Sequence, residues 1–290
     1  MNSCAKPRKR SDAMRRSVLY WIGALCLCLS LTAGAEGKNL PPPQDYGVTI
    51  MGAPGEQRVL PAVRFDHWLH RAFYTCRLCH VDLGFAMTRN GTGVKADMNA
   101  QGLYCGACHD GQRVHGNRAI FAACRTSIRP EAAAECNRCH SVGIPVKRMY
   151  DYDSFTRKLP KQKTGLVDWE KAEEQGFIRP SDILRGVSVV RPRMIPQGDF
   201  IINSRGLWMT DIIFSHKKHA DWNGCEVCHP DIFPSVKKGT VKYSMFQIAE
   251  GEYCGLCHDR VAFPLVDCQK CHVKSTPHPG KGVEGAASRP

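Results

Sequence analysis

Residues 65–80 read Phe65-Asp66-His67-Trp68-Leu69-His70-Arg71-Ala72-Phe73-Tyr74-Thr75-Cys76-Arg77-Leu78-Cys79-His80. The stretch joins a His-x-x-His pair to a Cys-x-x-Cys-His motif five residues later. Two thiols and an imidazole on one short turn can hold one large planar group. On a helix, His67 and His70 stand one turn apart and can serve two different sites.

The Cys-x-x-Cys-His motif occurs six times in the 290 residues. The attachment cysteines are Cys76 and Cys79, Cys105 and Cys108, Cys136 and Cys139, Cys225 and Cys228, Cys254 and Cys257, and Cys268 and Cys271. The histidines that follow them are His80, His109, His140, His229, His258 and His272. This is the signature of covalent haem c attachment. Each thiol pair forms thioethers with the two vinyl groups of one haem, and the adjacent His reaches the iron. Zinc sites also use Cys-x-x-Cys, but they do not require His after every second Cys. The expected cofactor is therefore six covalently bound haem c groups, each carrying iron.

The motifs fall into two units. Phe-x-His-x-x-His, Cys-x-x-Cys-His and Tyr-Cys-Gly-x-Cys-His-Asp recur 149 residues apart, so that Phe65, His67, His70, Cys76 and Tyr104 correspond to Phe214, His216, His219, Cys225 and Tyr253. The third motif breaks the offset, because the first unit carries a 17-residue insertion containing His115 or Cys124 or both. Beyond the six proximal residues, the histidines are His67, His70, His115, His216, His219 and His278. An electron-carrying haem needs a second axial ligand, commonly His or Met. A pair recurring at the same distance from an attachment site in both units is read as ligands rather than as surface histidines.

Both units resemble the triheme cytochrome c7 family, which is related to the cytochromes c3, over about residues 48–141 and 197–273. The resemblance implies a multihaem cytochrome c with two tandem haem-cored modules. Each would be α/irregular, with short helices and a two-stranded β-hairpin. It also implies that His67 pairs with His80, His70 with His109, His216 with His229 and His219 with His258. The family's third haem usually takes a His just before the second motif, but residues 81–104 and 230–253 contain none. Met98 and Met245 stand in comparable places and are the expected partners of His140 and His272. His115 and His278 compete with them, and Met87 is a weaker candidate. Thioether ligation raises a haem's potential relative to bis-His ligation.

Lys6, Arg8, Lys9, Arg10, Arg15 and Arg16, an apolar run over 18–32 and the small-residue site Ala33-Gly34-Ala35 read as a secretory signal peptide, residues 1–35. A retained anchor is the alternative. Cys26 and Cys28 follow Leu25 and Leu27, which argues against a lipoprotein signal. The further expected divisions are a linker over 36–47, a first triheme domain over 48–141, a connector over 142–196, a second triheme domain over 197–278 and a loose tail over 279–290. Within the connector, Val167 to Gln175 reads as a short helix stopped by Gly176. Of 16 cysteines, three leave with the signal and twelve hold haem, so Cys124 is left, expected as a buried thiol.

The formal charge of +13 suggests an acidic partner such as nucleic acid. Cleavage removes six cations and Asp12, leaving about +8. Twelve haem propionates, offset by up to six ferric charges, bring this to about +2 oxidised and about −4 reduced. The basic balance is therefore poor evidence for nucleic acid. The reading is an electron-transfer protein with no catalytic residues, exported to the periplasm or cell envelope of a Gram-negative bacterium. Its expected partners are other cytochromes or membrane quinol-oxidising complexes. The alternatives are a fixed or polymerising subunit of a membrane complex and a reductase with one open haem.

Overall fold

Val48–Met51 (β1) pairs antiparallel with Val63–Asp66 (β2), in a register that sets Val48 opposite Asp66 and Met51 opposite Val63. The second strand runs without a break into the short helix His67–His70 (α1). The buried Asp66 fixes that corner: its carboxylate accepts from Arg64 Nε at 2.9 Å and pairs with Arg148. In this computed structural model the described residues are 40–52, 60–124, 133–191, 198–204, 209–234, 237 and 239–274.

The remaining elements of the first module are short. Ala96–Ala100 (α2) precedes the second attachment motif. The insertion forms a small hairpin of Val114–His115 (β3) and Arg118–Ala119 (β4). Ala133–Cys136 (α3) enters the third motif. Brevity is expected where the chain's task is to present ligands to a large apolar group.

The connector contributes Tyr152–Thr156 (α4) and Trp169–Glu174 (α5). Asp168 caps α5 by accepting from Lys171 N–H at 3.3 Å, and Gly176 ends it with a φ of +72°, a conformation that glycine adopts without a Cβ penalty. The predicted helix and its stop are therefore present. The sequence reading missed α4.

The second module repeats the plan. Phe200–Ile202 (β5) pairs with Asp211–Phe214 (β6), which leads into His216–Asn223 (α6), and Met245–Ala249 (α7) precedes the fifth attachment motif. Its hairpin gains a third strand, His272–Lys274 (β7), on β6. In the first module the corresponding contact is Arg64 N–H to Cys139 O at 2.9 Å, without a named strand.

Polypeptide core forms chiefly where the connector meets the first module. Trp68 and Ala72, on the back of the His-pair segment, pack with Tyr152, Leu159, Val167 and Ile178. Leu78, inside the first attachment motif, packs with Ala107 and the connector's Leu184. Full burial of an aliphatic or aromatic side chain of this size contributes about 1.5–3 kcal/mol. The connector is therefore a structural part of the molecule. The described residues from Pro41 onward cluster as one compact unit. Among the described residues no helix is long and apolar enough to cross a membrane.

Candidate haem sites

The His-pair helices aim their imidazoles through backbone hydrogen bonds. His70 Nδ1 donates to Asp66 O at 3.0 Å, and His219 Nδ1 donates to Ser215 O at 2.8 Å, in the equivalent position. His67 Nδ1 donates to Gly47 O at 2.9 Å. The proximal histidines do the same. His80 donates to Phe85 O at 2.9 Å, His140 to Pro61 O at 2.7 Å, His229 to Phe233 O at 2.6 Å, His258 to Phe263 O at 3.2 Å and His272 to Thr210 O at 2.7 Å. A carbonyl only accepts, so each of these rings carries its proton on Nδ1 and leaves Nε2 free for a metal. At His109 the Phe121 backbone has a weaker influence, and Nδ1 makes no hydrogen bond of normal geometry.

The second attachment site of each module brings two rings together, tilted by 55° in the first module and 51° in the second. His70 and His109 lie 6.4 Å apart between ring centroids, and His219 and His258 lie 6.3 Å apart. An imidazole–metal bond of about 2 Å on each side, with each nitrogen about 1 Å from its ring centre, requires about 6 Å. The rings therefore fit one iron between them. At the first site, the charge of His80 disfavours that of His67. Burial, the largest influence in each case, lowers His67, His109 and His258 to about 4. It also lowers His70, His80 and His219. The neutral imidazole so favoured is the form that ligates iron.

Most attachment thiols sit in buried surroundings. Burial, reinforced by neighbouring sulfurs, pushes Cys79, Cys105 and Cys257 up to about 12, and Cys139 and Cys254 to about 11. A cavity of about 2060 Å³ is lined by Cys76, Cys79, Cys105, Cys139 and their histidines. Drug-sized pockets run to roughly 300–1,000 Å³, so this one has room for more than one macrocycle.

The third site is placed differently. Met98 is half-buried on α2, and Met245 is exposed at the start of α7. His140, Met87 and His115 all line the large cavity, while Met98 does not, among the described residues. The exposed His115 ring packs on Phe73 with centroids 4.0 Å apart. His278 lies outside the described residues. Cys124 is half-buried rather than buried, at a φ of +47°, with Asn99 Nδ2 3.8 Å from its sulfur.

Paired thiols with an adjacent iron-ready imidazole, opposed by a second imidazole, define a c-type haem protein. Residues 63–141 and 212–273 match the family described as cytochrome c7 and related cytochrome c. These two regions belong to that family, and the chain that carries them is a multihaem c-type cytochrome with two cytochrome c7-type modules. Among solved structures, the chain is similar to the C-terminal hexaheme fragment of GSU1996, at 22% identity and a TM-score of 0.23, covering 80% of this chain and 99% of that one. It is also similar to dodecaheme cytochrome c GSU1996, at 20% identity and a TM-score of 0.23, covering 78% of this chain and 73% of that one. No curated protein matches.

Proposed function

We propose that this chain is an exported hexahaem electron carrier of a Gram-negative periplasm or cell envelope, exchanging electrons with other cytochromes or membrane quinol-oxidising complexes. Multihaem c-type cytochromes of this family transfer electrons through their haems. The observation that carries the finer reading is the facing of His70 on His109 and of His219 on His258, each 6.3–6.4 Å apart. A haem capped by imidazole on both faces supplies one-electron exchange and offers no open position to a substrate.

The chain's own residues bind, orient and enclose. Twelve cysteines anchor six groups in this reading, and backbone carbonyls hold the imidazole planes. Short helices place two distal histidines for two sites, and the connector closes the back of the first module against water. For the third site, the sequence favours Met98 and Met245, while Met87, His115 and His140 all line the large cavity. The division into a signal over 1–35, domains over 48–141 and 197–278 and a connector over 142–196 belongs to the same proposal.

The test is mass spectrometry and visible spectroscopy of the purified holoprotein. The expected mass is the chain from Glu36 plus six haems, with one alkylatable cysteine after denaturation, Cys124. All haems are expected six-coordinate and low-spin, passing electrons to an added c-type cytochrome. A high-spin haem that binds carbon monoxide in the native protein would overturn the carrier reading in favour of a reductase.

A further inference from the structure

The two modules meet around one arginine. Arg71 follows His70 directly, and its guanidinium donates to Val261 O of the second module at 2.7 Å. It also lies over the connector's Trp169 at 4.8 Å and the second module's Trp222 at 5.9 Å, measured to the ring centroids. Tyr46 O–H donates to the neighbouring Ala262 carbonyl at 2.5 Å, closing the same junction. The large cavity reaches across it, lined by Cys76 and His80 of one module, by Cys257 and Val261 of the other, and by Arg71.

Burial is the largest influence on the Arg71 guanidinium and lowers it, while Cys76, Cys257, Tyr46 and Glu173 raise it; an arginine in a protein keeps its charge. Glu173 is the carboxylate that acts on it, as its weakest influence, and Glu173 already accepts from Trp222 Nε1. A guanidinium among aromatic rings projects its field further than one in water. That field reaches Cys76 and His67 on one side and Cys257 and His258 on the other. All four belong to two attachment sites, the first of module one and the second of module two. The repeat supplies its own control: 149 residues on, the position of Arg71 is held by Ala220.

We propose that Arg71 tunes the electron crossing between modules, its fixed charge favouring the reduced state of the haems held at Cys76–Cys79 and Cys254–Cys257 and making these two the contact pair. The inference rests on the electron-carrying reading above. The crossing makes and breaks no bond. One iron passes from ferrous to ferric as the other passes from ferric to ferrous, so the electron balances within the chain.

The test is a haem-resolved redox titration of the full holoprotein by NMR. In the parent, the Cys76–Cys79 site titrates above its repeat counterpart at Cys225–Cys228, and the Cys254–Cys257 site above that at Cys105–Cys108. Arg71→Gln lowers the ferrous-to-ferric ratio of those two haems about tenfold at fixed potential, about 59 mV for one electron, and leaves the others within about twofold. Arg71→Lys restores most of the shift, because it keeps the charge. A shift spread evenly over all haems, no shift, or a Lys variant that behaves like the Gln variant overturns the proposal. Should Arg71→Gln not assemble, the order of potentials in the parent decides alone. Failure of the carrier reading shows separately, as carbon monoxide binding by the parent, which does not alter that order.

Discussion

The imidazoles of His70 and His109 stand 6.4 Å apart, although 38 residues of chain separate them, and His219 and His258 repeat the arrangement at 6.3 Å. One ring comes from a helical turn at the end of a strand, and the other from a tight attachment turn. Their meeting brings two local motifs together at the spacing one iron would need, and this relationship carries the first prediction.

Replacing the distal ring should open one face of one haem. His70→Ala and His219→Ala are each expected to create a single high-spin haem per molecule that binds carbon monoxide, with the other haems unchanged. Visible and EPR spectroscopy of the variants counts the open sites. Two open sites from one substitution, or none, would refute the pairing.

The ligand opposite His140 and His272 can be read in the far red. If Met98 and Met245 ligate, the ferric parent shows the His/Met charge-transfer band, and Met98→Ala and Met245→Ala each remove about half of it. Loss on Met87→Ala or His115→Ala instead would assign the first module's site to those cavity-lining residues. Absence of the band from the parent excludes methionine at both sites.

Gly106 and Gly255, inside the second motif of each module, press against the preceding helix. A Cβ on Gly106 would overlap the carbonyl oxygen of Asn99, and one on Gly255 would overlap that of Ile248. Both obstacles are backbone and cannot rotate away. Gly106→Ala and Gly255→Ala should each cost about 3 kcal/mol or more and lower the yield of fully haem-loaded protein. Chemical denaturation and the haem-to-protein ratio measure this.

Arg77 ties the first attachment motif to the connector. It donates from Nε and Nη2 to the two oxygens of Asp182 at 2.8 and 2.9 Å and pairs with the buried Asp82 at 3.2 Å. Its hydrogen bonds to Asp182, the largest influence, hold its guanidinium above the usual range. Arg77→Ala leaves Asp82 with Arg191 at 3.5 Å and should destabilise the holoprotein by about 3 kcal/mol. Arg77→Lys should recover only part, because an ammonium cannot make the bidentate contact. Denaturant titration of the parent and both variants gives the comparison.

Much of the site was legible because its chemistry is local. Two thiols and a histidine act within one turn, so the spacing of Cys76, Cys79 and His80 already states their use. The His-x-x-His pairs were legible through the 149-residue repeat. Missed were the backbone acceptors that orient the rings, such as Gly47, Pro61 and Thr210. A carbonyl has no sequence signature, and any residue type supplies one. The third strand His272–Lys274 was missed for a related reason: three residues carry too little pattern to be recognised without the strand they pair with.

The sequence by itself determined the local plan: six Cys-x-x-Cys-His turns in two repeated units, a His-x-x-His pair before each unit, and a connector helix read from Val167 to Gln175 and stopped by Gly176. Only the tertiary structure decided which rings oppose each other and how the connector packs. Only there does Arg71, an unremarkable charge next to a histidine, become the cation at the junction of two modules. The division follows from range. Thioether attachment and helix capping act over a few residues and leave a spacing to read. Ring opposition, aromatic packing and hydrogen bonds across the junction join segments up to 216 residues apart, and these are set by how the chain packs around its large cavity.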